Sequence, residues 1–320
     1  MLELTPDPIA FMLGPIPVFW YGICYSLGLL ATFLVISWEA SWRGQNSALV
    51  INGMFVVAIA ALIGGRLYHV IDQWPLYADD PISIVLPPYT GLGVFGGIIT
   101  GTIAGLAYAW YQKVPLWVAV DVVAPGLFVM QAIGRWGNFF NQELYGPPTD
   151  LPWGIPIDCA HRVAAYPCTD YPPDTTRFAP LFLYESIAGL LGALLLLWLS
   201  HRRPQWLRQG DLFGIFFIWY GAVRFALEFL RTDNWTIGGI ATAQIFSILA
   251  IIVGLAILLT RRRRRAFTEG MPAFATAEGE GSTGEATARE EAVEVGSGAH
   301  AVADDAAGAD GGDARATPAG

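Results

Sequence analysis

The sequence predicts an all-α integral membrane protein: seven transmembrane helices with the N-terminus out and the C-terminus in, a small exoplasmic cap, and a disordered cytoplasmic tail. Three observations carry this expectation. Of the 320 residues, 54% are hydrophobic and only 14% charged, with a mean hydropathy of +0.46, a balance that water-soluble domains do not reach. Seven apolar runs of spanning length recur along the chain. The basic residues of the short connections gather on alternate loops, as membrane topology requires.

Residues 1–16, broken by Pro6, Pro8, Gly14 and Pro15 with Pro17 following, are too interrupted to span. They are expected at the interface as a short hairpin or amphipathic lead-in. Glu3 and Asp7 stand there without any Lys or Arg, so the positive n-region of a cleavable signal peptide is missing. The apolar runs lie near residues 17–37, 48–71, 92–112, 116–134, 179–200, 211–231 and 240–260, and each is read as one helix. In the third run Gly93, Gly97, Gly101 and Gly105 repeat at every fourth position and present a ridge for close helix approach; Gly64 and Gly65 do the same in the second.

Orientation follows from the loops. Arg43 follows the first run, Lys113 the third, His201, Arg202, Arg203 and Arg208 the fifth, and an arginine cluster at 261–265 the seventh. All fall on one side, expected to be cytoplasmic, whereas Asp72, Asp79 and Asp80 between the second and third runs belong to the other. Residues 138–178, rich in Pro and Gly, then form the exoplasmic cap. Cys159 and Cys168 share this loop and can pair if it faces an oxidising compartment, while Cys24 lies in an apolar run as a small hydrophobe. Residues 266–320 are mostly Ala, Gly, Glu and Asp, a composition that does not fold, which leaves 1–265 as the membrane domain. The formal charge of −9 comes from that tail, since eleven of the 27 acidic residues but two of the 18 basic ones follow position 265. It therefore says nothing about a substrate.

Chemistry concentrates in residues 134–146, a thirteen-residue stretch with Arg135, Asn138, Asn141 and Glu143 directly after an apolar run. Polar groups held against hydrocarbon are costly unless paired or used. In the sixth run Tyr220, Arg224, Glu228 and Arg231 recur at spacings of 4, 4 and 3 and share one helix face. Arg66 near the end of the second run and Arg135 at the end of the fourth come to the same exoplasmic level as Arg231. Singly, such arginines snorkel to headgroups, and an Arg-Glu-Arg ladder can simply neutralise itself and lock packing. Together, convergent guanidiniums beside two asparagines and a glutamate form a phosphate pocket.

Other polar residues carry weaker signals. Tyr21 suits an aromatic belt, Glu185 suits a helix cap or an arginine partner, and His69 is a lone histidine. His161 could act only if the cap folds inward. Lys113 is the only lysine of the body, carboxylates in the spans are few, and no Gly-x-Ser-x-Gly elbow occurs. Schiff-base, metal-cluster and serine-nucleophile chemistries are therefore set aside, with no cofactor, metal or nucleic acid expected.

The run Gly134-Arg135-x-Gly137-Asn138-Phe139-Phe140-Asn141-x-Glu143-x-x-Gly146 resembles the signature of bacterial prolipoprotein diacylglyceryl transferases. Companions stand in order over most of residues 1–260: Trp20-Tyr21-Gly22, Gly64-Gly65-Arg66, Gly96-Gly97, Leu183-Tyr184-Glu185, the Tyr220 to Arg231 set and Gln244-Ile245. The resemblance implies a bacterial plasma-membrane enzyme with its site facing the exoplasmic side. It would transfer the diacylglyceryl group of phosphatidylglycerol to the lipobox cysteine thiol of a preprolipoprotein, forming a thioether and releasing glycerol 1-phosphate. It implies Arg135 and Arg224 as the essential arginines, with Tyr21, Asn138, Glu143, Gly146 and Glu228 in or beside the pocket. Asn141, Arg231 and Arg66 join them as expected phosphatidylglycerol ligands.

The proton acceptor is left open: an arginine field could itself lower the thiol pKa, or Glu143, Glu228, Tyr21 or His69 could take the proton. The chain departs from the family at Phe95 and Ala179, where many members carry histidine. The rival expectations are an inactive paralogue, or a transporter or lipid-binding protein that grips an anion in the same pocket without transfer.

Overall fold

A computed structural model describes residues 6–85, 91–232 and 234–260; the expected tail at 266–320 and the arginines at 261–265 lie outside the described residues. The fold is helical, with seven α-helices among the described residues: α1 (Trp20–Trp42), α2 (Ser47–Asp72), α3 (Val94–Tyr111), α4 (Leu116–Phe140), α5 (Leu181–Arg202), α6 (Asp211–Glu228) and α7 (Thr242–Leu259). Six of them are long and apolar enough to cross a membrane. The exception is α6, because Asp211, Arg224 and Glu228 put three ionisable groups into its eighteen residues.

The expected N-terminal hairpin is present. Strands β1 (Ile9–Leu13) and β2 (Ile16–Phe19) pair antiparallel across Gly14 and Pro15, with Gly14 in the left-handed region at φ +60°. The hairpin leaves Phe11, Met12, Leu13 and Ile16 exposed, an apolar tip suited to the membrane interface. A smaller hairpin, β3 (Thr236–Ile237) with β4 (Ile240–Ala241), leads into α7.

Helices pack mainly as the pairs α1 with α4, α4 with α5, α6 with α7, and α2 with α3. The glycine ridge of α3 faces α2 as its spacing predicts: side chains at Gly97, Gly101 and Gly105 would meet Ala61 and Val57 at 3.2–3.3 Å. The closest approach is at Gly96, where a Cβ would overlap the Gly64 carbonyl, so the two backbones meet here only without side chains. Helix α4 is central, and its Phe128 closes a buried cluster with Leu196, Leu207 and Leu212. On the opposite surfaces leucines and isoleucines such as Leu34, Leu62 and Ile103 are exposed, as a lipid-facing belt requires.

Two boundaries differ from the sequence reading. Helix α4 runs to Phe140 rather than ending at 134, so Arg135 and Asn138 are helical and one turn apart on one face. Its extra turn is held by the Trp20 ring stacking on Phe140 at 4.7 Å. The cap is shifted along the chain to residues 141–180, and Tyr145, Ile155, Ile157, Tyr166 and Phe178 pack there with Phe182 of α5 as an aromatic core. Within it Cys159 and Cys168 form a disulfide.

At the other end of the bundle Arg43, expected as a loop charge, is 5% exposed. It pairs with Glu39 one turn earlier at 2.6 Å and donates to the Asp121 carbonyl at 3.2 Å. Glu39 also accepts from Ser200 and faces His201 at 3.2 Å, while the Asp121 carboxylate accepts the backbone N–H groups of Gly210 and Phe213. This network ties α1, α4, α5 and the start of α6 together, and its pairing explains how such charges tolerate burial.

Candidate active site

Arg135 on α4 and Arg224 on α6 come together on one buried carboxylate, that of Glu185 near the start of α5. Arg135 Nε meets Glu185 Oε2 at 2.6 Å and Arg224 Nη1 meets Oε1 at 3.2 Å, with the Glu185 side chain 1% exposed. Arg224 Nη2 also reaches Glu228 Oε2 at 2.8 Å, one helical turn on. The two arginine side chains keep 25% and 14% exposure, so their remaining donors stay within reach of a ligand. Holding Arg135 through Nε leaves its terminal nitrogens turned away from Glu185, Nη1 toward Asn138 and Nη2 for a contact with an anion. Arg231, just beyond α6, lies within electrostatic reach of both arginines and both glutamates.

The end of α4 feeds the same site. Asn138 Oδ1 accepts from Arg135 Nη1 at 3.4 Å, and Asn138 Nδ2 donates to Glu143 Oε1 at 2.8 Å. Asn141 Nδ2 donates to the same oxygen at 3.3 Å. Gln142 and Leu144 flank Glu143 in the left-handed region at φ 52° and 59°, a conformation that costs non-glycine residues energy and collects at functional sites. Gln142 is held in it by a reciprocal pair with Asp158, each bond 2.8 Å long.

Tyr21 at the start of α1 lies against Gly137, where a Cβ would stand 2.9 Å from its ring. Glycine at 137 thus lets the tyrosine reach the arginine level. Its hydroxyl donates to Tyr25 at 3.0 Å. A cavity of about 1070 Å³ opens beside this corner, lined by Tyr21, Asn141, Glu143 and His161 at its polar end and by Ile23 and Leu30 along α1. The mixed lining suits an amphiphile, with a charged head at one end and apolar chain along the other.

The prolipoprotein diacylglyceryl transferase family matches residues 8–260. A protein of Chloroflexus aggregans, named phosphatidylglycerol–prolipoprotein diacylglyceryl transferase, is 38% identical over 265 residues, 78% of this chain and 87% of its own. The chain belongs to the prolipoprotein diacylglyceryl transferase family. Relatives of the same name from Trichormus variabilis and Streptococcus agalactiae serotype Ia are 38% and 32% identical over 262 and 267 residues. These matches cover 80% and 81% of this chain, and 89% and 97% of the relatives. With six helices fit to span, this member of the transferase family is a multi-pass membrane protein.

Among the sequence-predicted residues, the structure joins Arg135, Asn138, Asn141, Glu143, Arg224 and Glu228 into one connected set. Arg66 stands apart from it. Its guanidinium donates to the carbonyls of Ile84, Ser83 and Gly91 and to the Tyr77 hydroxyl, which fastens the connection between α2 and α3. Gly146 serves close packing: its N–H donates to Ala179, and a Cβ there would stand 3.2 Å from the Leu230 carbonyl. His69 packs against Gly91 and Tyr77.

The two departures from the transferase pattern are packing positions here. Phe95 is half exposed beside Tyr68, and Ala179 is buried, its carbonyl receiving the Gly146 N–H. Glu185 is the residue whose centrality the sequence did not convey. The signal was a carboxylate inside an apolar run, which burial renders costly without a cationic partner.

Proposed function

We propose that this protein transfers the diacylglyceryl group of phosphatidylglycerol to the lipobox cysteine of preprolipoproteins. The observation that carries the reading is the pair of arginines from separate helices held on one buried glutamate and linked through Asn138 to Glu143, which lines an amphiphile-sized cavity. The phosphate of the lipid takes the free donors of Arg135 and Arg224, with Arg231 adding to the field. Asn138, Asn141 and Glu143 shape the mouth for the headgroup, and Tyr21 closes it from α1. Gly146 keeps the cap seated on α5, and Arg66 holds the α2–α3 connection that borders the entrance at Gly91.

The thiolate sulfur attacks the glyceryl carbon, the carbon–oxygen bond to phosphate breaks, and glycerol 1-phosphate departs with the electron pair. Its second negative charge develops beside the guanidiniums, where pre-positioned donors are worth ~3–4 kcal/mol each in such sites. The nucleophile belongs to the substrate, so the protein supplies only binding, charge stabilisation and proton acceptance.

The same reading sets the membrane arrangement. Helix α6 crosses as well, bringing the spans to seven, because its charges are paired, Arg224 with Glu185 and Glu228, and Asp211 accepting the Arg208 N–H at 2.9 Å. The chain lies in the bacterial plasma membrane, N-terminus out and C-terminus in, with the site exoplasmic. The cap disulfide agrees with an oxidising side.

Complementation tests the proposal. A bacterial strain depleted of its own transferase is expected to regain lipoprotein maturation with the wild-type chain. It should fail with Arg135→Ala or Arg224→Ala expressed at equal level. Failure of the wild type while it drives anion flux in liposomes would favour the transporter reading instead.

A further inference from the structure

Transfer to a thiol needs a proton acceptor, and the carboxylates around the arginines are already engaged. Glu143 Oε1 accepts from both asparagines, Glu185 and Glu228 hold guanidiniums, and the Tyr21 hydroxyl is bonded to Tyr25. His161 is arranged differently. It sits in a single 3-10 turn of the cap, Cys159–His161, and lines the same cavity as Glu143, Asn141 and Tyr21. Its Nδ1 lies 2.6 Å from Asp158 Oδ1, and Nε2 has no hydrogen-bond partner among the described residues.

We propose that His161 is the general base that deprotonates the substrate thiol, with Asp158 as its positioning residue; this rests on the diacylglyceryl transfer proposed above. Asp158 is built to stay ionised and to fix the ring. Burial raises its pKa, but hydrogen bonds from His161 and Gln142 outweigh that and hold the carboxyl below the usual range. An ionised carboxylate facing Nδ1 selects the tautomer with the proton there, which leaves the lone pair on Nε2. Asp158 Oδ1 also accepts the backbone N–H groups of Ala160 and His161, and Oδ2 takes Gln142, the residue between Asn141 and Glu143. The base is thus braced against the turn that carries the mouth of the arginine pocket. The disulfide at Cys159 and a bond from the Tyr145 hydroxyl to the His161 carbonyl at 3.1 Å secure the turn from the cap side.

The neighbouring charges do not compete for the ring. Arg162 turns away to the carbonyls of Ile157 and Tyr171, and the N-terminal hairpin presents Pro8 and Pro17 to the cavity. Glu143 and Tyr21 line the same cavity. In the step itself Nε2 takes the thiol proton and the sulfur forms its bond to the glyceryl carbon. The carbon–oxygen electron pair leaves with the phosphate, and the imidazolium returns its proton to the departing glycerol phosphate or to water.

The test uses the full-length protein in phosphatidylglycerol vesicles with a lipobox peptide, thioether product being read by mass. The wild-type kcat/KM profile is expected to place its acid limb at least one unit below the thiol's own ionisation near ~8.5. His161→Asn, whose amide can still donate to Asp158, is expected to lower kcat at neutral pH by ~10²-fold or more, with KM for the lipid within about two-fold. Its rate should recover as pH passes the thiol pKa, and added imidazole should restore part of it. A variant with wild-type kcat and an unchanged pH profile would overturn the proposal. So would a wild-type rate that simply tracks thiol ionisation, a result that decides the matter even if the variant's cap misfolds. No thioether from the wild type at any pH would instead overturn the transfer reading on which the proposal rests.

Discussion

At Glu185 a single carboxylate, 1% exposed, takes one nitrogen from each of two arginines on different helices. Glu185→Gln keeps the shape and removes the charge, so Arg135 and Arg224 repel each other and lose their common anchor. Misplaced catalytic groups cost up to ~10²-fold even for shifts of about 1 Å, so kcat/KM for thioether formation is expected to fall ~10 to 10²-fold. Steady-state kinetics with Glu185→Asp alongside should show partial retention. Arg135, Asn138, Arg224 and Glu228 were legible in the sequence because their spacing along α4 and α6 is local and periodic, and Glu143 because it follows α4 within one short polar stretch. For Glu185 a pairing with an arginine was one of two readings, but that it holds two of them was not legible, since they lie 50 and 39 residues away and only helix packing brings them near. Arg66 shows the reverse: three helix ends carry arginines to a common level, but this guanidinium meets loop carbonyls before it can meet the others.

Among the elements, the cap and α6 were the hardest to read. Helix α6 announces itself by its charged face, and those charges are also what reduce its fitness as a span by composition alone. The cap has little periodicity; its order comes from an aromatic core, a disulfide and the Gln142–Asp158 bonds, all long-range relative to local pattern. Its pH response follows from Asp158. A carboxyl held below its unfolded value near ~3.9 contributes stability that is present above that value and lost as pH falls through the folded one. Protection of the cap amides, corrected for the intrinsic pH dependence of exchange, is therefore expected to be flat above about pH 5 and to fall below about pH 4, and Asp158→Asn should abolish that acid step. The glycine ridge of α3 was correctly legible because a four-residue repeat admits one packing face, and α2 occupies it.

Across the whole molecule two polar clusters sit on the order of 20 Å apart along α4, by the rise between Asp121 and Arg135. They use similar residues to opposite ends. Around Glu39, Arg43 and Asp121 the charges are sealed, with Glu39 and Asp121 at 0% exposure and Arg43 at 5%. Around Glu185 the arginines remain partly open, and Glu143, joined to Arg135 through Asn138, lines a cavity of about 1070 Å³. A lock needs every donor and acceptor matched internally, whereas a site keeps donors in reserve for a ligand. Composition and hydropathy revealed the membrane class and the helix order. They did not separate the lock from the site, because both read as charges near helix ends and only burial tells them apart.

Arg135 and Arg224 hold donors in reserve for a lipid phosphate, and the mass of a lipobox peptide reports whether they are used. Incubated with the full-length protein in phosphatidylglycerol vesicles, the peptide is expected to gain one diacylglyceryl group on its cysteine sulfur. An equal amount of glycerol 1-phosphate should appear, and both should fall by ~10²-fold or more with Arg224→Ala or Arg135→Ala. An unmodified peptide from the wild type, or undiminished product from both arginine variants, would rule out transfer at this arginine pair.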